Sequence, residues 1–173
     1  MIATEFQRES AGYVSRVPPE ILHLVHRTAE SLIALLSAHE SGEYRRQADL
    51  ALAQLFPPMS LEDPELALEL HDAHQREICA EKITHLRIFD AHVDTASAEV
   101  SIAPDEVDQV VRAMADLRIY LSARLEKRQW DSTDFGGDAS GLRAQIMLGE
   151  LLNFLTWWQA SLMENLGFGA ETP

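Results

Sequence analysis

Cys79 is the only cysteine in 173 residues, so neither an internal disulfide nor a cysteine-built zinc site can form. Long apolar runs are missing too. The longest is five residues, Leu32 to Leu36 among them, where a bilayer span needs roughly 20. Positive charge is scarce: 14 Lys and Arg stand against 28 Asp and Glu, a net charge of −14. Nucleic-acid backbones and anionic membranes are both met with a surplus of Lys and Arg, so neither is an expected partner. The first residues, Met1 to Glu5, lack a basic stretch followed by an apolar one. No signal peptide is expected, and the cytoplasm is the expected compartment. Glycine and proline are few, at 8 and 7, while Leu and Ala reach 23 and 22. Both are strong helix formers, and with 46% apolar residues the chain can bury a real core. The expectation is an all-α bundle of five to six helices over residues 1–173, a single domain with no catalytic centre.

The acidity is uneven, −2 over residues 1–60 and −12 over 61–173. Pro18-Pro19 should open a first helix running to about Ala38, with Ile21, Val25, Thr28, Ala29, Leu32, Leu35 and Leu36 as its stripe. A shorter helix is expected from Tyr44 to Phe56, stopped by Pro57-Pro58. Asp63-Pro64 reads as an N-cap followed by a first-turn proline. Between Pro64 and His92 the apolar phase reverses: Leu66, Leu70 and Ala73 face one way, and Ile78, Cys79, Leu86 and Phe89 the other. A break near Asp72–Glu77 is the preferred reading over one helix buried on both sides. Ala98–Ile102 alternates and predicts a short extended piece, with at most a two-stranded element near Val100.

A helix should then start near Pro104, with Asp105 and Glu106 in its first turn and Lys127-Arg128 at its end. Its stripe is Val107, Val110, Met114, Leu117, Leu121 and Leu125. Residues 129–141 read as a flexible connector. The last helix, about Leu142 to Leu166, carries Leu148, Leu151, Leu152, Leu155, Trp158, Leu162 and Leu166. Gly167 should stop it, and the tail over 167–173 should fray.

The familiar site patterns fail on physical grounds. His71 and His74 are one turn apart but give two ligands where zinc takes three or four, and His92 lies about 30 Å along the same helix from His71. Glu20 and His23 have the Glu-x-x-His spacing of bundle di-iron sites, yet His23 projects about 180° from Leu32, and no second such pair exists. Asp134-Phe135-Gly136 lacks the loops that give those letters meaning in kinases, and the glycines from Gly136 to Gly141 lack a phosphate-reaching lysine. Cys79 sits with Ile78 and Leu86, which predicts a packed thiol. No metal and no cofactor is expected.

Four residues remain as interaction or structural candidates. Arg118 and Arg124 lie about 60° to either side of their helix's apolar stripe, so either could find a carboxylate on another element. Trp157 is turned about 160° from the last helix's stripe, with Phe154 at its edge. An exposed Trp beside a Phe points to self-association through this helix, most simply a symmetric homodimer. The bland alternative is a central helix covered on both faces by its own chain.

Four stretches together resemble a known family. They are Asp63-Pro64-Glu65-Leu66-Ala67, Lys82-Ile83-Thr84-His85-Leu86, Asp116-Leu117-Arg118-Ile119-Tyr120-Leu121-Ser122-Ala123-Arg124-Leu125, and the run from Leu151 to Leu162 with Trp157-Trp158-Gln159. In order and spacing they resemble the actinobacterial domain-of-unknown-function family two-thousand-and-seventeen, from about residue 5 to 166. Ser122 and His85 stand where the family pattern has glycine and asparagine. The resemblance implies a helical cytoplasmic protein without established activity, often encoded near the adaptor of the Clp protease. Neighbourhood is an association, not a contact. It ranks a non-catalytic interaction protein, regulatory and linked to Clp-type proteolysis, above a metal- or small-ligand-binding module, with an enzyme last.

Overall fold

The computed structural model describes residues 2–42, 49–57, 63–127 and 141–167. The described elements run β1 (Gln7–Glu9), β2 (Gly12–Arg16), α1 (Pro19–Glu40), α2 (Leu50–Leu55), α3 (Pro64–His92), β3 (Glu99–Ile102), α4 (Val107–Lys127) and α5 (Gly141–Asn165). The fold is a helical bundle with a small sheet.

Local chemistry sets most boundaries. Pro18 and Pro19 open α1, where a missing N–H costs nothing. Asp63 Oδ1 accepts from the backbone N–H of Glu65 and Leu66, both at 3.1 Å, and Pro64 follows as the first helical residue of α3. Asp49 caps α2 in the same way, accepting from the Ala51 N–H at 2.8 Å. Past the end of α5, Gly167 takes φ +87°, the left-handed turn that glycine makes without strain. The start of α4 falls at Val107, three residues beyond Pro104, so Asp105 and Glu106 precede the helix and Asp108 occupies its first turn. The expected start of the second helix at Tyr44 and the residues 128–140 lie outside the described residues, as does most of the tail.

Two expectations need correction. First, α3 runs unbroken from Pro64 to His92. The stretch Asp72–Glu77 holds neither glycine nor proline, so nothing local interrupts the hydrogen-bond ladder. The apolar phase changes because the two halves have different surroundings. Leu66 is 48% exposed, whereas Cys79, Leu86 and Phe89 are fully buried. Second, the sheet has three antiparallel strands in the order β1-β2-β3, not two at most. Gln7 pairs with Val14 and Glu9 with Gly12, and Tyr13 and Ser15 pair with Ile102 and Val100. In β2 the polar Ser15 is buried while Val14 is only half-buried, which hides the alternation that marks a strand. Ser15 is inside because the Trp158 indole N–H donates to its hydroxyl at 2.8 Å.

Gly12 has φ +151°, and a Cβ there would lie 2.2 Å from the Ile102 carbonyl oxygen. Gly12→Ala is therefore expected to pry β2 from β3 and cost about 1–3 kcal/mol or more, from backbone strain alone. Urea unfolding of the two proteins checks this, and an unchanged midpoint would contradict it.

Helix α4 lies at the centre, packed by α3, α5, α2 and α1. Val110, Met114, Leu117 and Leu121 are buried along it as the sequence predicts, and Leu125 is half-buried. On α1 the stripe is shifted slightly: Leu22 is fully buried, and Ile21 and Leu35 only partly. The chain start is laid on α5: the Phe6 N–H donates to Ser161 Oγ at 3.2 Å, and Asn165 Nδ2 donates to the Phe6 carbonyl at 2.7 Å. This clamp holds the sheet against the last helix.

Candidate interaction surface

The inner face of α5 is settled by its burial: Leu148, Leu151, Leu155, Trp158 and Leu162 all lie in the core. The opposite face is left to solvent. Leu142 is 69%, Ile146 53% and Trp157 38% exposed. At 100° per residue Ile146 lies about 20° and Leu142 about 60° from Trp157, so the three share one face. Helix α5 is thus not the all-round buried helix of the alternative reading. Phe154, half-buried, stacks on Trp158 (centroids 5.3 Å, planes 28° apart) and leans on Trp157 at 5.9 Å. The aromatic pair therefore links the exposed face to the core.

A depression flanks this face on each side. Toward α1, Ile21, Leu24, Met147, Leu151 and Phe154 line an apolar groove of about 160 Å³, with Glu150 at its rim. Toward α4 lies a larger, open cleft of about 530 Å³, lined by Arg118, Ile119, Ser122, Asn153 and Thr156, with Gln54 of α2.

The two arginine candidates divide. Arg124 Nη1 lies 3.3 Å from Asp49 Oδ2, and its guanidinium sits 4.9 Å from the centre of the Tyr120 ring. Asp49 is also the α2 cap, so Arg124 fastens α2 to α4. Arg118 finds no carboxylate among the described residues. Its Nε–H donates to Thr156 Oγ1 at 3.0 Å and its Nη1–H to Gln159 Oε1 at 2.6 Å.

Other polar pairs are structural. Burial, then the charge of Glu40, push the Cys79 thiol up to about 11, and its Sγ–H donates to the Leu36 carbonyl at 3.1 Å. That is the packed thiol expected from its neighbours. His26 meets Asp90 at 2.7 Å, tying α1 to α3, and His92 meets Glu106 at 2.9 Å. His39 is buried against Phe56 and bonds Gln75. His74 lies 3.9 Å from Glu77 of its own helix, and His23 is exposed. The side chain of His71 lies outside the described residues, as do the Asp134-Phe135-Gly136 letters. Among the described residues no three His, Cys, Asp or Glu side chains are grouped to hold a metal ion.

Sequence reasoning missed two features. Lys82 Nζ donates to Asp116 Oδ1 at 2.7 Å in a largely buried pair between α3 and α4. Gln159 is buried and fixed by donating to the Val111 carbonyl at 2.8 Å, which aims its oxygen at Arg118. Both pairs span 34 residues or more, beyond the reach of helical periodicity.

The model of a family described as a domain of unknown function (DUF2017) matches residues 3–166. The chain belongs to that family. Asp116, Arg118, Arg124 and Gln159, which carry the resemblance to DUF2017, are the residues whose side chains join α4 to α2, α3 and α5. No curated protein and no solved structure matches this DUF2017 chain. No helix of the described residues is long and apolar enough to cross a membrane.

Proposed function

We propose that this chain is a non-catalytic interaction protein that meets a protein partner across the outer face of α5. The observation that carries the reading is Trp157, exposed on the same face as Ile146 and Leu142 and backed by Phe154. A rigid aromatic ringed by polar residues, here the exposed Glu150 and Asn153, is the usual anchor of a protein interface, because it brings large area at small entropic cost. A flanking groove on the α1 side extends the apolar area. The Clp-type proteolysis suggested by the family resemblance, a regulatory role and a cytoplasmic setting belong to the same proposal. A symmetric homodimer is the simplest way for a second copy to cover this face.

Light scattering after size exclusion, run on wild type and Trp157→Ala, tests the self-association branch. The expected result is a dimer that the substitution weakens by about tenfold or more, since interface aromatics commonly contribute over 1.4 kcal/mol. The adaptor branch is tested by titrating the purified Clp adaptor into both proteins and reading Trp fluorescence. Binding by wild type that Trp157→Ala loses supports it. A monomer that binds no adaptor, or association indifferent to Trp157, would overturn the reading of this face.

A further inference from the structure

Arg118 is a cation held by neutral groups, with no carboxylate beside it among the described residues. Its two anchors, Thr156 Oγ1 and Gln159 Oε1, are neutral. Each anchor is itself fixed with its accepting oxygen toward the guanidinium: Thr156 donates its hydroxyl proton to the Leu152 carbonyl at 2.8 Å, and Gln159 donates to the Val111 carbonyl. A guanidinium has five N–H donors, and these two bonds use only two of them. The remaining donors have no carboxylate among the described residues. Lys82 and Arg124, which are half-buried as Arg118 is, each meet one. In a chain of net charge −14, a half-buried arginine with no acidic neighbour among the described residues departs from the pattern that Lys82 and Arg124 follow.

The cleft beside Arg118 has the size and lining for a ligand. Its volume of about 530 Å³ falls within the range of small-molecule pockets, although it is broadly open to solvent. Ser122 and Asn153 bring hydroxyl and amide donors for a second oxygen, and Ile119 and Leu152 give an apolar wall for a short stem. The geometry points to a carboxylate-binding site in the α4–α5 cleft, in which Arg118 takes the carboxylate in a charge-assisted, forked contact. The carboxylate has two sources: the end of a partner's chain, or a free small acid. Phosphate, with its tetrahedral oxygens and greater charge, is a poorer match for a site with a single cation. This site borders the Trp157 face but does not use Trp157, so Arg118→Gln and Trp157→Ala test the two readings separately.

The test is an NMR titration of the wild-type chain, following the Arg118 Nε–H and the Asn153 side-chain amide. The probes are sodium glutarate, a tetrapeptide acetyl-Ala-Ala-Leu-Ala with a free carboxyl end, the same peptide amidated, and inorganic phosphate. The expected result is a saturable shift of both signals with glutarate or the free-ended peptide, near millimolar for one charged contact. Tighter binding of the free-ended peptide, lost on amidation, assigns a chain end; equal or tighter glutarate binding assigns a small acid. Arg118→Gln should weaken binding about tenfold or more. Ser122→Trp, at an exposed position, should block the cleft while leaving Arg118 and its anchors in place, so a folding defect in one variant does not decide the matter. No saturable shift with either carboxylate, an equal response to phosphate, or binding unchanged in both variants would overturn the assignment.

Discussion

Replacing Trp158 by Ala is expected to cost about 3–5 kcal/mol of folding stability, the range for removing a fully buried Trp. Three aromatic rings close on this side chain: Phe6 at 5.0 Å, Phe154 at 5.3 Å and Phe89 at 6.2 Å. They come from the chain start, from α5 itself and from α3, so one indole joins three separate parts of the fold. Its N–H also ends on Ser15 Oγ, which in turn donates to the Thr4 carbonyl at 2.7 Å. Truncation leaves a cavity that rings on three elements cannot collapse into, and it removes the bond that holds β2 down. The melting temperature should fall by on the order of 10 °C for a chain of this size. Trp158→Phe separates the two effects: most of the packing stays, and the loss should drop to about 1–2 kcal/mol for the missing hydrogen bond and ring area. Denaturant unfolding of both variants gives the numbers. A loss below about 1 kcal/mol for Trp158→Ala, under the range for such truncations, would mean that the chain start does not depend on this ring.

Lys82→Met is the second large effect. Asp116 is buried, and burial raises its carboxyl above the ordinary range despite Lys82 at 2.7 Å, the next largest influence. Desolvation thus outweighs the attraction, as it often does for buried pairs. A raised carboxyl binds its proton more tightly folded than unfolded. Its contribution to stability therefore falls as pH climbs from the ordinary carboxylate range through the raised value, and is level above it. Removing Lys82 takes the paired charge from the carboxylate and leaves only the weaker pull of His85 and Arg112, and the expected cost is about 3–5 kcal/mol. The cost should shrink in acid, where Asp116 takes up a proton. The double variant Lys82→Met with Asp116→Leu should recover most of the loss, because no buried charge remains. A single variant as stable as wild type at pH 7, or a double variant worse than the single, would contradict this account of the α3–α4 contact.

The legible parts of the fold were those written in local chemistry. Proline pairs, the Asp63 cap, Gly167 and the apolar stripes of α1, α4 and α5 need only neighbours within a few turns. The unbroken α3 was misjudged because a phase reversal records where partners lie, and the backbone ladder is indifferent to it. Strands β1 and β2 were missed for a related reason. β1 is three exposed residues, and β2 buries a serine whose partner is 143 residues away. At the surface, the outward position of Trp157 followed from helical angle alone. The division between Arg118 and Arg124 did not, since it depends on which elements pack beside α4: the α2 cap brings Asp49 to one, and α5 brings only neutral groups to the other.

The central claim, that a protein partner meets the outer face of α5, is tested most directly by photo-crosslinking in cells. A benzophenone amino acid placed at position 157 is compared with the same group at Glu30, an exposed position of α1. The account predicts one discrete adduct from position 157, either twice the chain's mass or the chain plus a single partner, and none from position 30. No adduct at position 157, or the same ladder from both positions, would contradict it.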